Sequence, residues 1–292
     1  MTKHMAKVSD LLAAGPTYSF EFFPPKDAVE AALLMETLRE LEPLRPSFVS
    51  VTFRAVAAAR QRTVDIVMAL RRRGALNPMA HLICAGQSCV DLTDMITTLG
   101  QAGVRNFMAL AGDPPLDPSV PRGELSYATE LVALLRALGD FCVGVAAHPD
   151  GHPRSPTMSS DRDFLARKLE LADFAITQFF FEAKDYFRLV DDVSARGVSK
   201  PVLPGIMPVT SLSSIPRMSK MGTPVPAWLV ERLEACATSG EDIHKVGVQA
   251  ATELCSQLLG NGAPGLHFYT LNRSSATRQI HANLGLSPAG VR

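Results

Sequence analysis

Short apolar runs of four to eight residues alternate along this sequence with longer stretches whose apolar residues recur every three or four positions. The short runs predict buried strands and the longer stretches predict amphipathic helices. The expected strands cover residues 19–23, 48–52, 79–84, 106–110, 142–147, 174–180, 202–206 and 266–270. The expected helices cover residues 28–41, 64–73, 90–101, 126–138, 161–171, 186–196, 226–237, 243–259 and 274–284.

This alternation amounts to eight strand–helix units in 292 residues, which predicts an α/β protein with a closed (β/α)8 (TIM) barrel. A doubly wound open sheet is the main alternative. The first strand is not followed by the Gly-x-Gly-x-x-Gly turn that a dinucleotide-binding sheet of that kind uses. We therefore expect one barrel domain over residues 1–292, with 1–16 as an N-terminal extension and no C-terminal regulatory domain.

Charge and cysteine content exclude several classes of protein. The 29 Lys and Arg residues balance the 29 Asp and Glu residues, so we expect neither a nucleic-acid partner nor an anionic membrane surface. The five cysteines form no Cys-x-x-Cys pair, which favours a reduced, cytoplasmic protein with structural thiols. Residues 1–15 lack the apolar run of a signal peptide, and no stretch approaches the roughly 20 apolar residues that span a bilayer.

A single carboxylate, Glu21, stands inside the first apolar run, where aromatic residues surround it. Carboxylates are seldom fully buried without a partner or a chemical role. Two readings of Glu21 remain open on this observation alone. It points outward or pairs with an arginine, or it serves chemistry inside the barrel.

Polar residues recur where the predicted strands end. In a (β/α)8 barrel the active site lies at the carboxyl ends of the strands, so this convergence predicts an enzyme. The residues concerned are Glu21, Thr52, His81, Asp113, His148, His152, Gln178, Tyr269 and Arg273. Some have a structural alternative: Asp113 could stabilise the turn before Pro114, and Gln178 could satisfy a buried backbone group.

Other chemistries fit the sequence less well. His148 and His152 have helical spacing, but Pro149 and Gly151 between them argue against a helix, so we expect no metal site. No Gly-x-Ser-x-Gly turn supports a serine hydrolase. Two carboxylates at the mouth could mean glycoside hydrolysis, but Trp228 is the single tryptophan, and sugar sites often use several.

Six segments resemble the methylenetetrahydrofolate reductase family, and the resemblance spans about residues 18–286. They are Ser-Phe-Glu-Phe-Phe-Pro-Pro-Lys, Phe-Val-Ser-Val-Thr, Gly-Asp-Pro-Pro, Ile-Thr-Gln-Phe-Phe-Phe, Pro-Gly-Ile-Met-Pro-Val and Phe-Tyr-Thr-Leu-Asn-Arg, in this order. The first and fourth are quite specific. The resemblance implies a (β/α)8 barrel that reduces 5,10-methylenetetrahydrofolate to 5-methyltetrahydrofolate, with hydride passing from NAD(P)H through FAD in a ping-pong reaction.

The resemblance also implies roles for individual residues. Glu21 would be the general acid that opens the folate ring, with a raised pKa, and Asp113 would stabilise the iminium cation. Gln178, Tyr269, Arg273 and Leu212 would bind the folate. The flavin or nucleotide contacts would be Thr52, His81, His148, His152, Asp161, Arg167 and Lys168. Arg167 and Lys168 would meet phosphate or ribose, and their structural alternative is a solvated helix face.

Departures from the family pattern are concentrated at the flavin positions. The family's Gly-rich turn after the second strand is a bulky segment, 53–59, and its Arg-Gly-Asp becomes Ala111-Gly112-Asp113. Three further family residues are replaced, by His148, Phe164 and Leu212. We therefore expect FAD to bind weakly or not at all, and NADH to pass hydride directly to the folate.

Two alternatives remain: an ordinary FAD-dependent reductase, and a folate-binding barrel without catalysis. The sequence leaves the choice between NADH and NADPH, and the oligomeric state, open.

Overall fold

Eight parallel strands close into a barrel in which each strand pairs with the next and the last pairs with the first. The computed structural model describes residues 5–53, 57–113, 122–236 and 240–286, without the side chains of 57–59. The strands are β1 (Thr17–Phe22), β2 (Phe48–Val51), β3 (Pro78–Ile83), β4 (Asn106–Leu110), β5 (Cys142–Ala147), β6 (Phe174–Phe179), β7 (Val202–Ile206) and β8 (Gly265–Tyr269). The predicted (β/α)8 barrel is confirmed.

Side chains alternate between the inside of the barrel and the outer layer of helices, as the pleat of a strand requires. On β1, Phe20 and Phe22 belong to the large apolar cluster between strands and helices. Ser19 and Glu21 face inward, where both contact His267 of β8. The polar residues Ser19 and Glu21 of β1 therefore lie in the barrel interior, and the aromatic residues that alternate with them pack against the helices.

The described part of the chain contains eleven α-helices, which surround the strands and extend the loops. They are α1 (Val8–Ala14), α2 (Ala28–Leu41), α3 (Ala57–Arg73), α4 (Cys89–Gln101), α5 (Ala128–Leu138), α6 (Met158–Leu171), α7 (Ala183–Ser194), α8 (Ile215–Lys220), α9 (Ala227–Ala235), α10 (Gly240–Gly260) and α11 (Ser275–Asn283). Short 3₁₀ turns cover Glu42–Leu44 and Leu212–Ser214. No helix of the described ranges combines the length and apolarity needed to cross a bilayer.

Several predicted helix boundaries are wrong. Helix α3 begins at Ala57, seven residues before the predicted start, and α6 begins at Met158 rather than at 161. The Thr157 side chain accepts a hydrogen bond from the Ser160 backbone N–H, and this cap fixes the start of α6. Helices α1 and α8 were not predicted, because both are short and α8 carries Pro216 in its first turn.

Helix α1 closes the amino end of the barrel. Val8 is fully buried in a cluster with inward-facing residues of the strands, including Phe48 and Met108. The Asn106 carboxamide accepts a hydrogen bond from the Val8 backbone N–H at 2.8 Å and donates one to the Ala6 carbonyl at 3.0 Å. The lower interior is therefore filled with apolar side chains, and polar side chains are concentrated towards the carboxyl ends of the strands.

Candidate active site

Glu21 lies inside the barrel near the carboxyl end of β1. Its register partners are Ser50 on β2 and Tyr269 on β8, so it is surrounded by inward-facing residues of both neighbouring strands. Its side chain is almost completely buried, with 7% of the residue exposed. The Thr270 hydroxyl donates a hydrogen bond to the Glu21 backbone carbonyl at 2.6 Å and holds the strand end in place. The reading that Glu21 points outward is excluded.

Three side chains converge on one oxygen of this carboxylate. The Ser50 hydroxyl donates to Glu21 Oε2 at 3.4 Å, and the Nε2 atoms of His81 and His267 lie 3.4 Å and 3.5 Å from the same oxygen. Neither imidazole is solvated, since His81 is 6% exposed and His267 is fully buried. Both ring nitrogens therefore lie within ion-pair distance of the same carboxylate oxygen.

His267 is held rigidly by its other ring nitrogen. Its Nδ1 lies 2.8 Å from the Ser19 hydroxyl, and its ring stacks on Phe48 at a centroid distance of 5.9 Å. Ser19, two residues before Glu21, shares the inward face of β1 with it. A continuous series of polar contacts therefore runs from Ser19 through His267 to Glu21.

The pKa of the Glu21 carboxyl contradicts the expectation from the sequence. Burial raises this pKa, but the positive charge of protonated His81 and the hydrogen bond and charge of His267 outweigh burial, so that the net pKa is lowered. The pKa of His81 is also lowered, first by burial, which the Glu21 charge offsets only in part. The predicted raised pKa was wrong because it considered burial without these two histidines.

One buried hydroxyl at the carboxyl end of the barrel is available to a ligand. Among the residues that the structure describes, the Thr52 hydroxyl has no hydrogen-bond partner, whereas the His81 Nε2 atom, which also makes no hydrogen bond, lies 3.4 Å from Glu21 Oε2. Thr52 follows the last residue of β2, and His81 lies inside the barrel on the neighbouring β3. Buried polar groups are almost always paired in folded proteins, so the Thr52 hydroxyl indicates that a polar ligand group contacts it.

Tyr269, the register partner of Glu21 on β8, reaches across β7 to β6, the strand that carries Gln178. The Tyr269 hydroxyl donates to the Thr177 carbonyl at 2.6 Å, and its ring lies 5.3 Å from the His267 ring. The Gln178 Oε1 atom accepts a hydrogen bond from the Phe179 backbone N–H at 3.1 Å. Gln178 also lines a cavity of about 10 Å³ with His148 and Gly222. Both residues thus reach the carboxyl end of the barrel.

The loop between β5 and α6, together with α6 itself, carries His148, His152, Asp161 and Lys168, four of the predicted cofactor residues. The rings of His148 and His152 meet edge to face at 4.7 Å, and burial lowers the pKa of His148 to about 4. Lys168 donates to the Ala146 carbonyl at 2.6 Å, and burial lowers its pKa to about 8. Asp161 raises the pKa of both His148 and Lys168, so the three groups lie within electrostatic range.

Asp161 is committed to structural contacts. Its Oδ1 accepts hydrogen bonds from the His152 backbone N–H at 2.9 Å and the Ser155 hydroxyl at 3.0 Å, and its Oδ2 pairs with Arg162 at 2.7 Å. Arg162 is fully buried and also donates to the His148 and Pro149 carbonyls. The pair therefore fixes the path of the loop that carries both histidines.

The remaining predicted residues lie at the rim. Asp113, Arg167 and Arg273 are exposed, and Leu212 is half-buried beside the cluster that contains Phe179 and Met207. Burial lowers the pKa of His152, as do Arg154 and Lys168, while Asp161 and Asp113 raise it; Asp113 thus lies within electrostatic range of the β5–α6 loop.

Two parts of the sequence prediction fall outside the described residues: 54–56 of the bulky segment, and the prolines at 114 and 115. Within the described ranges, no three His, Cys, Asp or Glu side chains are arranged as metal ligands.

Sequence reasoning missed Ser19, Ser50 and His267. The signal was present in the alternation of the strands, because Ser19 precedes Glu21 by two positions, Ser50 precedes Thr52 by two, and His267 precedes Tyr269 by two. Each missed residue therefore shares the inward face of a residue that was predicted.

Comparison with known proteins shows which protein family this sequence resembles. The sequence profile described as "Methylenetetrahydrofolate reductase" matches residues 7–285. The chain is 34% identical over 276 residues to the 5,10-methylenetetrahydrofolate reductase of Pectobacterium carotovorum, covering 94% of this chain and 92% of that protein. It is 34% identical over 272 residues to the Escherichia coli (strain K12) protein of the same name, covering 92% and 91%.

A rice protein whose name includes "methylenetetrahydrofolate reductase (NADH)" is 32% identical over 301 residues, covering 97% of this chain and 51% of that protein. Among solved structures, an uncharacterised Clostridium thermocellum protein that binds two copies of 5-methyl-5,6,7,8-tetrahydrofolic acid superposes with a TM-score of 0.67 at 12% identity. That likeness covers 96% of this chain and 97% of the other, and at this identity it supports the fold alone.

Proposed function

The chain belongs to the methylenetetrahydrofolate reductase family, and from that premise we propose that it reduces 5,10-methylenetetrahydrofolate by direct hydride transfer from NADH, without a bound flavin. The names of its relatives support the reaction itself. The route of the hydride and the choice of NADH are our proposal.

The observation that carries the proposal is the buried Glu21 carboxylate with two imidazoles on the same oxygen. Opening the five-membered ring of the folate needs a proton at N10, delivered where water cannot compete. Glu21 is the donor, and the ring nitrogens of His81 and His267 lie 3.4 Å and 3.5 Å from the carboxylate oxygen Oε2. The lowered pKa leaves Glu21 ionised in the free protein, so Glu21 must take up a proton before it can act as the general acid.

The chemical step balances without a further redox group. Protonation of N10 breaks its bond to the methylene carbon, and N5 supplies the electron pair that forms the iminium cation. The hydride of NADH C4 adds to the methylene carbon, giving the 5-methyl product and NAD⁺. Asp113 stabilises the cation electrostatically, and Gln178 donates a hydrogen bond to the pterin.

The residues at the family's flavin positions do not fit FAD. The Asp161 carboxylate is already bound by Arg162, by Ser155 and by the His152 backbone. The Lys168 ammonium already donates to the Ala146 carbonyl. These contacts use part of the hydrogen-bonding capacity that the two groups could offer a flavin, which supports the flavin-free route.

Two substitutions in the flavin shell point the same way. Phe164, where the resemblance leads to Asn, is 51% exposed on α6 and offers no hydrogen bond. Ala111 stands where the resemblance leads to Arg, so no side-chain charge remains there. Hydrogen bonds to charged groups contribute about 1.5–3 kcal/mol each, so FAD would lose several kcal/mol of binding free energy across these changes.

The decisive experiment follows the transferred hydrogen. Purified protein is given NADH deuterated at the transferred position of C4, together with 5,10-methylenetetrahydrofolate, and the methyl group of the product is examined by mass spectrometry. Direct transfer retains the full label. A reduced flavin exchanges its N5 hydrogen with water, so a diluted label would overturn the flavin-free route.

Steady-state kinetics and the visible spectrum complete the test. Direct transfer requires both substrates together, so the double-reciprocal lines intersect, whereas parallel lines contradict the proposal. A flavin absorbance band that rises in proportion to activity would restore the ordinary FAD mechanism. A colourless protein that binds the folate but does not oxidise NADH, even with added FAD, would identify a folate-binding barrel without catalysis.

A further inference from the structure

Strand β6 carries one extra residue at the mouth of the barrel. Ile176 pairs with Leu203 of β7, and the next pair is Phe179 with Gly205, so three steps on β6 match two steps on β7. This β-bulge contains Thr177 and Gln178. Bulges interrupt the ladder, re-aim a side chain and are frequent beside active sites.

The bulge interrupts the regular ladder around Thr177 and Gln178, and side chains bind three of the backbone groups there. The Tyr269 hydroxyl donates to the Thr177 carbonyl at 2.6 Å. The Thr177 hydroxyl accepts from the Gly205 backbone N–H at 2.8 Å. The Phe179 backbone N–H is bound by the Gln178 side-chain oxygen at 3.1 Å. The bulge is thus stabilised by the neighbouring strand β7 and, across it, by Tyr269 of β8.

Gly205 makes room for the Tyr269 contact. A Cβ atom at this position would lie 2.6 Å from Cε2 of the Tyr269 ring and 3.0 Å from its hydroxyl oxygen, and would also overlap the Thr177 carbonyl oxygen. Neither the rigid ring nor a strand backbone can yield by that much. Glycine at 205 is therefore required for Tyr269 to cross β7 and reach β6.

The same contacts determine which end of the Gln178 amide faces the ligand. Its oxygen is held by the Phe179 N–H, a donor only, which fixes the assignment of the two amide atoms. Within the described ranges nothing accepts a hydrogen bond from its Nε2, and the residue lines the cavity beside His148 and Gly222. The free end of the amide is thus a hydrogen-bond donor.

We propose that Thr177, Gly205 and Tyr269 are positioning residues, which hold the bulge so that Gln178 presents its NH₂ group, and not its oxygen, to the mouth. The site then selects a ligand with a hydrogen-bond acceptor at this point, such as a carbonyl or ring nitrogen of a pterin. Identifying that ligand as a folate rests on the proposed function. The orientation of Gln178 does not.

The test compares Thr177→Val, which removes the hydroxyl, with Thr177→Ser, which keeps it. We expect Thr177→Val to raise the Kd for 5-methyltetrahydrofolate about tenfold, the equivalent of one lost hydrogen bond. The serine variant restores binding, and the KM for NADH stays unchanged in both. Thr252→Val is the matched control, since this buried hydroxyl donates within helix α10 to the Val248 carbonyl.

Two more variants address Tyr269 and the polarity of Gln178. Tyr269→Phe removes only the hydroxyl and should weaken folate binding like Thr177→Val. Gln178→Glu still accepts from Phe179 but loses the NH₂ donor, so binding should fall further. Unchanged folate affinity in Thr177→Val and Tyr269→Phe, or in Gln178→Glu, would overturn the inference. The proposed reduction of the folate by NADH would stand, and only the contact of Gln178 with the pterin would be lost from it.

A measurement on the ligand-free protein tests the orientation of Gln178 separately from the proposed function. In ¹⁵N-labelled protein, the side-chain NH₂ signals of Gln178, assigned by their absence in Gln178→Leu, should move in Thr177→Val and Tyr269→Phe and return in Thr177→Ser. Signals that stay in place would overturn the positioning role. If the unmodified protein neither binds nor reduces the folate, the proposed function fails, and these signals alone decide whether the bulge orients Gln178.

Discussion

At the scale of single residues, three side chains of the barrel interior approach one carboxylate oxygen of Glu21. A serine hydroxyl and two imidazole nitrogens lie within 3.5 Å of it, and all four side chains are buried. Such a cluster stabilises a buried carboxylate charge, because several polar partners replace the water that would otherwise solvate it. Replacing the carboxylate therefore tests chemistry and not only packing.

Glu21→Gln keeps the shape of the side chain and removes the ionisable group. We expect turnover to fall by a factor on the order of 10²–10⁴, the range that general acid catalysis contributes. The Kd for 5-methyltetrahydrofolate should stay within a few fold. Initial rates of NADH oxidation and calorimetric titration with the folate measure the two quantities.

The exposed Glu36 of α2 provides the matched control, and Glu36→Gln should change neither rate nor affinity. If Glu21→Gln retained the full rate, Glu21 would have no part in proton transfer. If it lost folate binding as well as turnover, its role would be structural.

The candidate site was predicted in part from single residues. Glu21, His81 and Gln178 were found because each interrupts an apolar run, and the structure places all three at the carboxyl end of the barrel. The lowered pKa of Glu21 could not be predicted, because it depends on the approach of His81 and His267, which are 60 and 246 positions away in the chain.

At the scale of elements, strands were easier to predict than helix ends. Eight apolar runs identified the eight strands, since buried parallel strands are apolar on both faces. The bulge in β6 leaves no such signature, because it is a mismatch between β6 and β7 and not a property of either sequence. Helix α1 was missed because only Val8 of its seven residues is buried.

Asn106→Ala tests how α1 is attached to the barrel. The change removes the acceptor of the Val8 N–H and the donor to the Ala6 carbonyl in a fully buried place. An unpaired buried group costs about 1–3 kcal/mol, so we expect the free energy of unfolding to fall by about that amount. Urea titration followed by circular dichroism measures the loss.

The folate and NADH constants of Asn106→Ala should remain those of the unmodified protein, since the substitution lies at the opposite end of the barrel. Lys7→Ala, which removes an exposed pair with Asp140, is the control and should cost well under 1 kcal/mol. Equal destabilisation by the two variants would contradict a special role for Asn106.

At the scale of the whole molecule, stability should depend on pH through a histidine that the reaction does not use. His281 of α11 is 1% exposed among the rings of Tyr18, Phe20 and Phe268, and among the described residues neither ring nitrogen has a hydrogen-bond partner. Burial lowers its pKa to about 4. The folded protein therefore keeps His281 neutral where the unfolded chain takes up a proton.

Because the folded pKa lies below the unfolded value of about 6.5, stability is complete above pH 6.5 and falls as the pH drops towards 4. The full effect of a shift of this size is about 3 kcal/mol. We expect His281→Leu to reduce this acid sensitivity, measured as the difference in unfolding free energy between pH 7.5 and pH 4.5.

Ile280→Val, next to His281 and equally buried, should lower stability by about 0.5–1.5 kcal/mol at both pH values. An acid sensitivity that is the same in His281→Leu and the unmodified protein would show that other groups dominate the pH response.

The closure of the amino end by α1 determines the order of events in the proposed reaction. Apolar side chains and α1 fill the amino end of the barrel, so a substrate that enters by the carboxyl end must leave by the same end. In the proposed reaction, the folate that binds at Glu21 enters before NADH. We therefore expect NAD⁺ to leave before 5-methyltetrahydrofolate.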